Sequence, residues 1–394
     1  MPILYTKVAV KPGMLLSFAC TVYKYPHLLR RIQSLTVHDH NTIDSTEAEH
    51  LSWVITLLEN LSELIIKGGY TQFSMVPGDL VLRHSKLYVN ALQSPLLGKL
   101  RNCTLSLGQG DPWDMADREC IFTHPNLRNL TIIGAQMDNF HSFTEHIKRT
   151  SPLEGLFLYC CDLSPVTLHK ILSVPRNLQS FTYVGARQVG APLYTSPRPD
   201  EYIAAMQAQA ASLKTIAFHP WNFTLRQPHA ITFYRFTALQ SLTFMPFYFL
   251  TRENPPRCLS LTPLVDSSFP ASLTSLKILQ RDHRVISPVE NGMMDRLARA
   301  FHAGALPNLR LVELCVSLQP VIPKRLPDLP RDWDLYFRGR VCVKRGSFWA
   351  IQQRPLGCHC CDFDVYKVFV DNWAVEVAPL PPGFDHWLSH QLFG

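Results

Sequence analysis

One cluster in the sequence has the residue types that bind transition metals. It is Cys358-His359-Cys360-Cys361. Further possible ligands are Cys342, His386 and His390. Zinc sites use Cys and His in tetrahedral sets, usually as two paired groups such as Cys-x₂-Cys. Because no second Cys-x₂-Cys pair is present, we expect ordinary packed thiols here, and we predict no metal and no cofactor.

Motifs that would support catalysis are absent from the sequence. There is no Gly-x-Ser-x-Gly, no P-loop, no Gly-x-Gly-x-x-Gly and no His-Glu-x-x-His. The run His38-Asp39-His40 invites a metal or acid–base hypothesis, but we expect a solvated turn just past the first repeat strand. Cys160-Cys161 is interpreted as repeat packing. We therefore predict no catalytic residues and no enzyme activity.

The elements that must position any site follow from the stretch between Pro152 and Tyr183. It contains Leu-x-x-Leu-x-Leu, continued as x-x-Cys-x-Leu, which is the consensus start of a leucine-rich repeat. A short helix should follow, with Ser164 as N-cap and Pro165 at the first helical position. Such a strand–turn–helix unit cannot bury its apolar face alone, so copies of it must stack.

The same spacing recurs ten times along the chain. The strands are expected at or just after the residues Leu28, Leu61, Leu105, Leu127, Leu153, Leu178, Leu213, Leu239, Leu273 and Leu309. Because strands alternate with helices, the sheet should be parallel. The predicted fold class is α/β, a leucine-rich-repeat solenoid with parallel strands on the concave face, helices on the convex face and a C-terminal cap.

Helices and domain boundaries can also be predicted. Helical spacing covers Pro12–Tyr25, the segment opened by the capping box Asp44 and Glu47, Asp200–Ala211 and Gly292–His302. We expect the solenoid over residues 1–319, a Pro-rich linker over 320–330 and an aromatic-rich cap over 331–394, which covers the core of the last repeat.

Composition limits the classes of function. The 394 residues are 46% hydrophobic and 18% charged, as in a well-cored folded protein. The net charge of +7 is not concentrated in a basic run, so we expect no nucleic-acid partner. No apolar run is long enough to span a membrane, and no membrane partner is expected. The 11 cysteines are scattered and odd in number, which favours a reducing, cytoplasmic or nuclear location over a disulfide framework.

Side chains between the leucines should point to the concave face of the sheet. In the middle repeats these side chains are neutral and partly apolar, which suits a protein surface and not phosphates. The predicted partner-binding residues are Ile133, Phe157, Tyr159, Thr182, Val184, Thr215, His219, Thr243 and Met245. The alternative is that the protein's own Pro-rich loops or C-terminal segment cover this face.

The chain resembles the fungal F-box/leucine-rich-repeat proteins over roughly residues 3–318. The segments that carry the resemblance are Leu4–Val8, Pro26–Leu35, Cys161–Pro165, Ser180–Tyr183, Phe236–Leu239 and Phe269–Leu273. In that family an F-box precedes this region and binds the Skp-type adaptor of a cullin–RING (SCF) ubiquitin ligase. No Leu-Pro-x-Glu-like opening lies near Met1.

The resemblance implies a role in binding the substrate of such a ligase, with the adaptor as a second partner when an F-box lies upstream. The alternative is a leucine-rich-repeat scaffold that has no role in ubiquitin transfer.

Overall fold

The computed structural model describes residues 6–11, 13–39, 45–68, 86–107, 113–116, 118–137, 140, 147–185, 199–219, 232–244, 250–252, 259–261, 269–280, 300, 303–316, 334–337, 340–345 and 348–353. The chain forms two compact units, Met1–Val189 and Gly190–Gly394.

The first unit is built on a parallel sheet with one strand per repeat. Its strands are β1 (Lys7–Val10), β2 (Ser34–Asp39), β3 (Glu63–Gly68), β4 (Asn102–Ser106), β5 (Trp113–Asp114), β6 (Asn129–Ile133), β7 (Ala135–Gln136), β8 (Gly155–Cys161) and β9 (Ser180–Gly185). Strands β1, β2, β3, β4, β6, β8 and β9 pair in that order, all parallel. β5 and β7 form a separate short parallel pair.

The helices of this unit return the chain from one strand to the next. They are α1 (Leu15–Lys24), a 3₁₀ helix (Pro26–Arg31), α2 (Ser45–Thr56), a short helix over 86–91, a 3₁₀ helix (Glu119–Thr123) and α3 (Pro165–Ser173). The predicted cap of α3 is confirmed, because the Ser164 hydroxyl accepts from the Thr167 amide at 3.1 Å. The helix over 86–91 was not predicted.

The leucine positions form continuous buried rows across the sheet. One row contains Leu35, Leu64, Cys103, Leu130, Leu156 and Phe181, which are register neighbours and all buried. Cys103 therefore stands where the other repeats have Leu or Phe. Burial of apolar surface contributes roughly 25 cal/mol per Å², so these rows are what holds each repeat against the next.

A repeated backbone hydrogen bond keeps the repeats in register. The carbonyl before each strand accepts from two consecutive amides of the next repeat: Gln33 O binds the amides of Ser62 and Glu63. The carbonyls of Ser62, Arg101, Arg128 and Glu154 do the same one repeat further on. Because each strand entry is anchored on the preceding one, a change of one residue in register would break two bonds at once.

The second unit continues the same design. After α4 (Pro199–Met206) and a 3₁₀ turn (Gln207–Gln209) its strands are β10 (Thr215–His219), β11 (Ser241–Phe244), β12 (Leu250–Arg252), β13 (Leu259–Leu261), β14 (Ser275–Gln280), β15 (Leu311–Val316), β16 (Asp334–Phe337), β17 (Arg340–Arg345) and β18 (Phe348–Gln353). Strands β10, β11, β14, β15 and β16 are parallel in that order. β17 and β18 follow as antiparallel strands, and β12 pairs antiparallel with β13.

An aromatic cluster fills part of the core beside β11 in this unit. Phe233, Phe236 and Phe244 are buried. The ring centroid of Phe233 lies 5.8 Å from that of Phe236 and 6.4 Å from that of Phe244. Residues 232–240, which carry Phe233 and Phe236, form turns directly before β11.

The predicted fold class is confirmed: each of the ten predicted repeats supplies a parallel strand. The helix predicted over Pro12–Tyr25 is α1, and the helix predicted over Asp200–Ala211 is α4, which ends in a 3₁₀ turn. Nearly all of the helix predicted over Gly292–His302, the linker over 320–330 and the later part of the cap lie outside the described residues.

Candidate partner-binding face

The face of the first unit's sheet opposite the leucine rows carries three rows of side chains, and we call it the strand face. Its entry row is Lys7, Ser34, Glu63, Asn102, Asn129, Gly155 and Ser180. Its middle row is Ala9, Thr36, Ile65, Thr104, Thr131, Phe157 and Thr182. Its exit row is His38, Lys67, Ser106, Ile133, Tyr159 and Val184.

The structure brings five of the predicted site residues together on this face. Ile133, Phe157, Tyr159, Thr182 and Val184 occupy adjacent positions on β6, β8 and β9. Tyr159 is half-buried and the other four are buried. Their role in binding a partner stays a prediction.

The remaining predicted site residues belong to the second unit. Thr215 and Thr243 are half-buried, on β10 and β11, and His219 is buried at the end of β10. Met245 lies outside the described residues.

Gly155 makes room for two side chains above the sheet. A β-carbon at this position would lie 2.4 Å from Oδ1 of Asn129 and 2.9 Å from Cε2 of Phe157. Real β-carbon contacts are essentially never this short. The Asn129 amide and the Phe157 ring can therefore keep their positions next to residue 155 only because it is a glycine. This explains why the Phe157 ring can pack down on the strand and is only 8% exposed.

The entry row is held by hydrogen bonds between side chains of neighbouring strands. The Ser34 hydroxyl donates to Glu63 Oε2 at 2.6 Å, and the Asn129 amide donates to Asn102 Oδ1 at 2.9 Å. Such cross-strand polar pairs contribute roughly 0.2–1 kcal/mol each. They order the entry row while leaving further donors and acceptors of Glu63 and Asn102 at the surface.

The exit row contains two titratable groups whose pKa values are shifted by burial. Lys67 is half-buried on β3, and burial lowers the pKa of its ammonium group. Burial likewise raises the pKa of the Tyr159 hydroxyl, so this phenol stays protonated at neutral pH. A partner that covers this row meets one weakly solvated cation and a neutral phenol.

The Thr182 hydroxyl is fully buried. The side chain is 0% exposed, and its Oγ1 has no hydrogen-bond partner among the residues that the structure describes. Leaving such a group unbonded costs about 1–3 kcal/mol. The Thr182 side chain therefore fills space beneath the face, while its unbonded hydroxyl lowers the free energy of unfolding.

Sequence reasoning missed the accessible part of the strand face. Ser34, Thr36, Glu63, Asn102 and Thr104 are half-buried or exposed on β2, β3 and β4. They occupy the same positions between the leucines that were chosen in the middle repeats. Their position on this face could be predicted from the sequence, because the Leu-x-x-Leu-x-Leu spacing applies equally to the early repeats, but the spacing does not give their exposure.

The structure describes only some of the residues that could have supported metal or acid–base chemistry. His38 and Asp39 are inside β2, so the expectation of a turn just past the strand was wrong for these two residues, while His40 lies outside the described residues. Cys160 and Cys161 are buried at the end of β8. Cys358-His359-Cys360-Cys361 lies outside the described residues.

Metal-binding clusters and membrane-spanning helices are both absent from the part of the chain that the structure describes. It contains no group of three or more His, Cys, Asp or Glu side chains placed to hold a metal ion. It also contains no helix that is long and apolar enough to cross a membrane.

Comparison with known proteins gives likenesses in structure but none in sequence. No family model matches the sequence, and no curated protein matches it. Among solved structures, the chain is similar to one described as the crystal structure of the Rad7 and Elc1 complex in yeast. The TM-score is 0.35 at 12% sequence identity, and the match covers 82% of this chain and 88% of that chain.

Proposed function

We propose that this chain is a leucine-rich-repeat recognition protein that binds a partner protein through the strand face of its first unit. The observation that carries the proposal is the set of accessible polar side chains on β2, β3 and β4. They are Ser34, Thr36, Glu63, Asn102 and Thr104. The buried rows on the other side of the sheet hold the repeats together without them, so this face is available for contacts.

The composition of the face supports a protein partner. Glu63 and Lys67 are on the same strand and carry opposite charges, and their neighbours are hydroxyls and amides. Nucleic-acid recognition would require several cations in one stripe. Protein interfaces combine a few charges with such polar groups and with aromatic anchors, a role that Tyr159 fills here. The proposal assigns binding, and no catalytic step, to this chain.

The test compares a strand-face variant with a matched variant elsewhere. The full chain would carry Glu63→Lys with Asn102→Arg, and the control would carry Val166→Arg, since Val166 is 67% exposed on α3. Proteins captured from a lysate of the source organism are then compared by mass spectrometry. A partner that is retained by wild type and control but lost by the strand-face variant supports the proposal. Equal retention by all three overturns it.

The finer part of the proposal is delivery of that partner to a cullin–RING ubiquitin ligase. Its support is the resemblance to the fungal F-box/leucine-rich-repeat proteins, and it requires a Skp-type adaptor and a location in the cytoplasm or nucleus. The test is co-purification of the full-length gene product with the Skp-type adaptor. Without co-purification the ligase role is dropped, and the chain is a recognition scaffold.

A further inference from the structure

A cleft of about 290 Å³ lies in the first unit, away from the strand face. It is bounded by residues 89–98, which include the end of the short helix over 86–91, and by residues 120–126, which include the end of the 3₁₀ helix. Its apolar walls include Leu92, Leu97 and Ile121, all of them buried. The volume is near the lower limit of about 300 Å³ for ligand pockets, so it suits a small molecule.

His124 is one of the polar residues that line this cleft. The residue is only 7% exposed and lines the cleft. Its Nδ1 accepts a hydrogen bond from the backbone N–H of Asn126 at 3.2 Å, which assigns the proton of the neutral ring to Nε2. Burial and the nearby Arg101 lower the pKa of the ring, so it is neutral at pH 7. Nε2–H has no partner among the described residues.

The other polar residues that line the cleft are Gln93, Ser94, Cys120, Thr123 and Asn126. The Gln93 amide nitrogen donates to the Cys120 sulfur at 2.8 Å, which holds the amide in place. The carbonyl oxygen of the same amide is an acceptor that has no hydrogen-bond partner among the described residues. The hydroxyls of Ser94 and Thr123 already donate to the carbonyls of Thr56 and Cys120, at 2.9 and 2.8 Å. The cleft therefore offers a neutral donor on His124, a neutral acceptor on Gln93 and apolar walls, and no Asp, Glu, Lys or Arg lines it.

We propose that this cleft binds a small uncharged ligand that has a flat apolar body and a carboxamide group. The ligand carbonyl accepts from His124 Nε2–H, its N–H group donates to the Gln93 carbonyl, and its apolar body lies against Leu92, Leu97 and Ile121. The proposal is independent of partner binding on the strand face.

Benzamide is a suitable probe because it combines a phenyl ring with one carboxamide. Cys120 lines the cleft, so a bound probe should slow its alkylation by iodoacetamide, followed by mass spectrometry on the full chain. Cys20 is a free exposed thiol on α1 and serves as the internal control. We expect half-maximal protection of Cys120 at about 10 mM or below, with unchanged alkylation of Cys20. No protection at several times that concentration would overturn the proposal.

A charged probe and two variants test the assigned contacts. Benzamidine has the same shape but is a cation without a carbonyl, so we expect no protection from it. Gly98→Leu should abolish protection, since a β-carbon at Gly98 has no neighbour closer than 4.0 Å and leucine has room to fill the cleft. His124→Asn keeps an acceptor for the Asn126 amide but removes Nε2–H, and should weaken benzamide about fivefold. Equal protection by benzamidine, or full protection in folded Gly98→Leu, contradicts the proposal.

Discussion

The amide side chain of Asn129 lies over Gly155 on the next strand, with Oδ1 only 2.4 Å from where a β-carbon on the glycine would be. The same amide donates to Asn102 at 2.9 Å. The Asn129 side chain on β6 thus extends from β4 to β8 across the strand face. It can lie over β8 only because residue 155 has no side chain.

Replacing that glycine should disturb the face measurably. Gly155→Ala forces the Asn129 amide and the Phe157 ring to move, and we expect a loss of about 1–3 kcal/mol in the free energy of unfolding in urea. Gly98→Ala is the matched control, with an expected change within about 0.5 kcal/mol. In an Asn129→Ala background the cost of Gly155→Ala should shrink, and strictly additive effects would contradict the geometry.

Replacing Thr182 with valine, which has the same shape but is apolar, should stabilise the protein. Thr182→Val keeps the shape of a fully buried side chain and removes a hydroxyl that has no hydrogen bond. We expect a gain of about 1 kcal/mol in the free energy of unfolding. The control is Thr167→Val, because the Thr167 hydroxyl is bonded to Ser164 and its loss should destabilise. A destabilised Thr182→Val protein would mean that this hydroxyl is bonded.

Cys160 should resist substitution by a β-branched residue. It has a φ of 50°, at an irregularity in the pairing of β8 with β9, and it is buried. Cys160→Val should cost about 1–2 kcal/mol more than Cys103→Val, because Cys103 is in the regular strand β4. Thermal unfolding of both variants measures the difference, and equal losses would exclude backbone strain at Cys160.

The Cys103 thiol should make stability fall at alkaline pH. Burial raises its pKa to about 12 in the folded protein, from 9.0 for an ordinary thiol. The contribution of this thiol to the free energy of unfolding is complete below pH 9. It is lost as the pH rises toward 12, at about 1.4 kcal/mol per pH unit. Unfolding in urea at pH 8 and pH 10 should show a smaller decline for Cys103→Val than for wild type. Identical declines would mean that this thiol ionises freely in the folded state.

Helix α3 should lose stability when its cap is removed. Ser164→Ala deletes the acceptor of the Thr167 amide and should cost about 1 kcal/mol. Ser164→Asp retains an acceptor at the N-terminus and should cost little. Val166→Ala at an exposed position of the same helix is the control for general effects on α3. A neutral Ser164→Ala would show that the cap does not contribute.

The sequence alone determined the repeated strand and its inward side. In each repeat the spacing Leu-x-x-Leu-x-Leu places residues such as Leu156 and Leu158 on one side of a strand, because side chains alternate along it. These side chains must be buried for the chain to fold at all, so the local spacing is sufficient. The same locality made the cap of α3 predictable, since Ser164 and Thr167 are three residues apart.

Only the tertiary structure decided which positions on the other side of the sheet are accessible. Ile133, Phe157 and Val184 have the same spacing as Thr36 and Thr104, yet the former are buried and the latter half-exposed. Exposure depends on what neighbouring strands and distant segments place above each position, and that information is not periodic. The cleft at His124 was unpredictable for the same reason, because residues 89–98 and 120–126 meet only through the stacking of repeats.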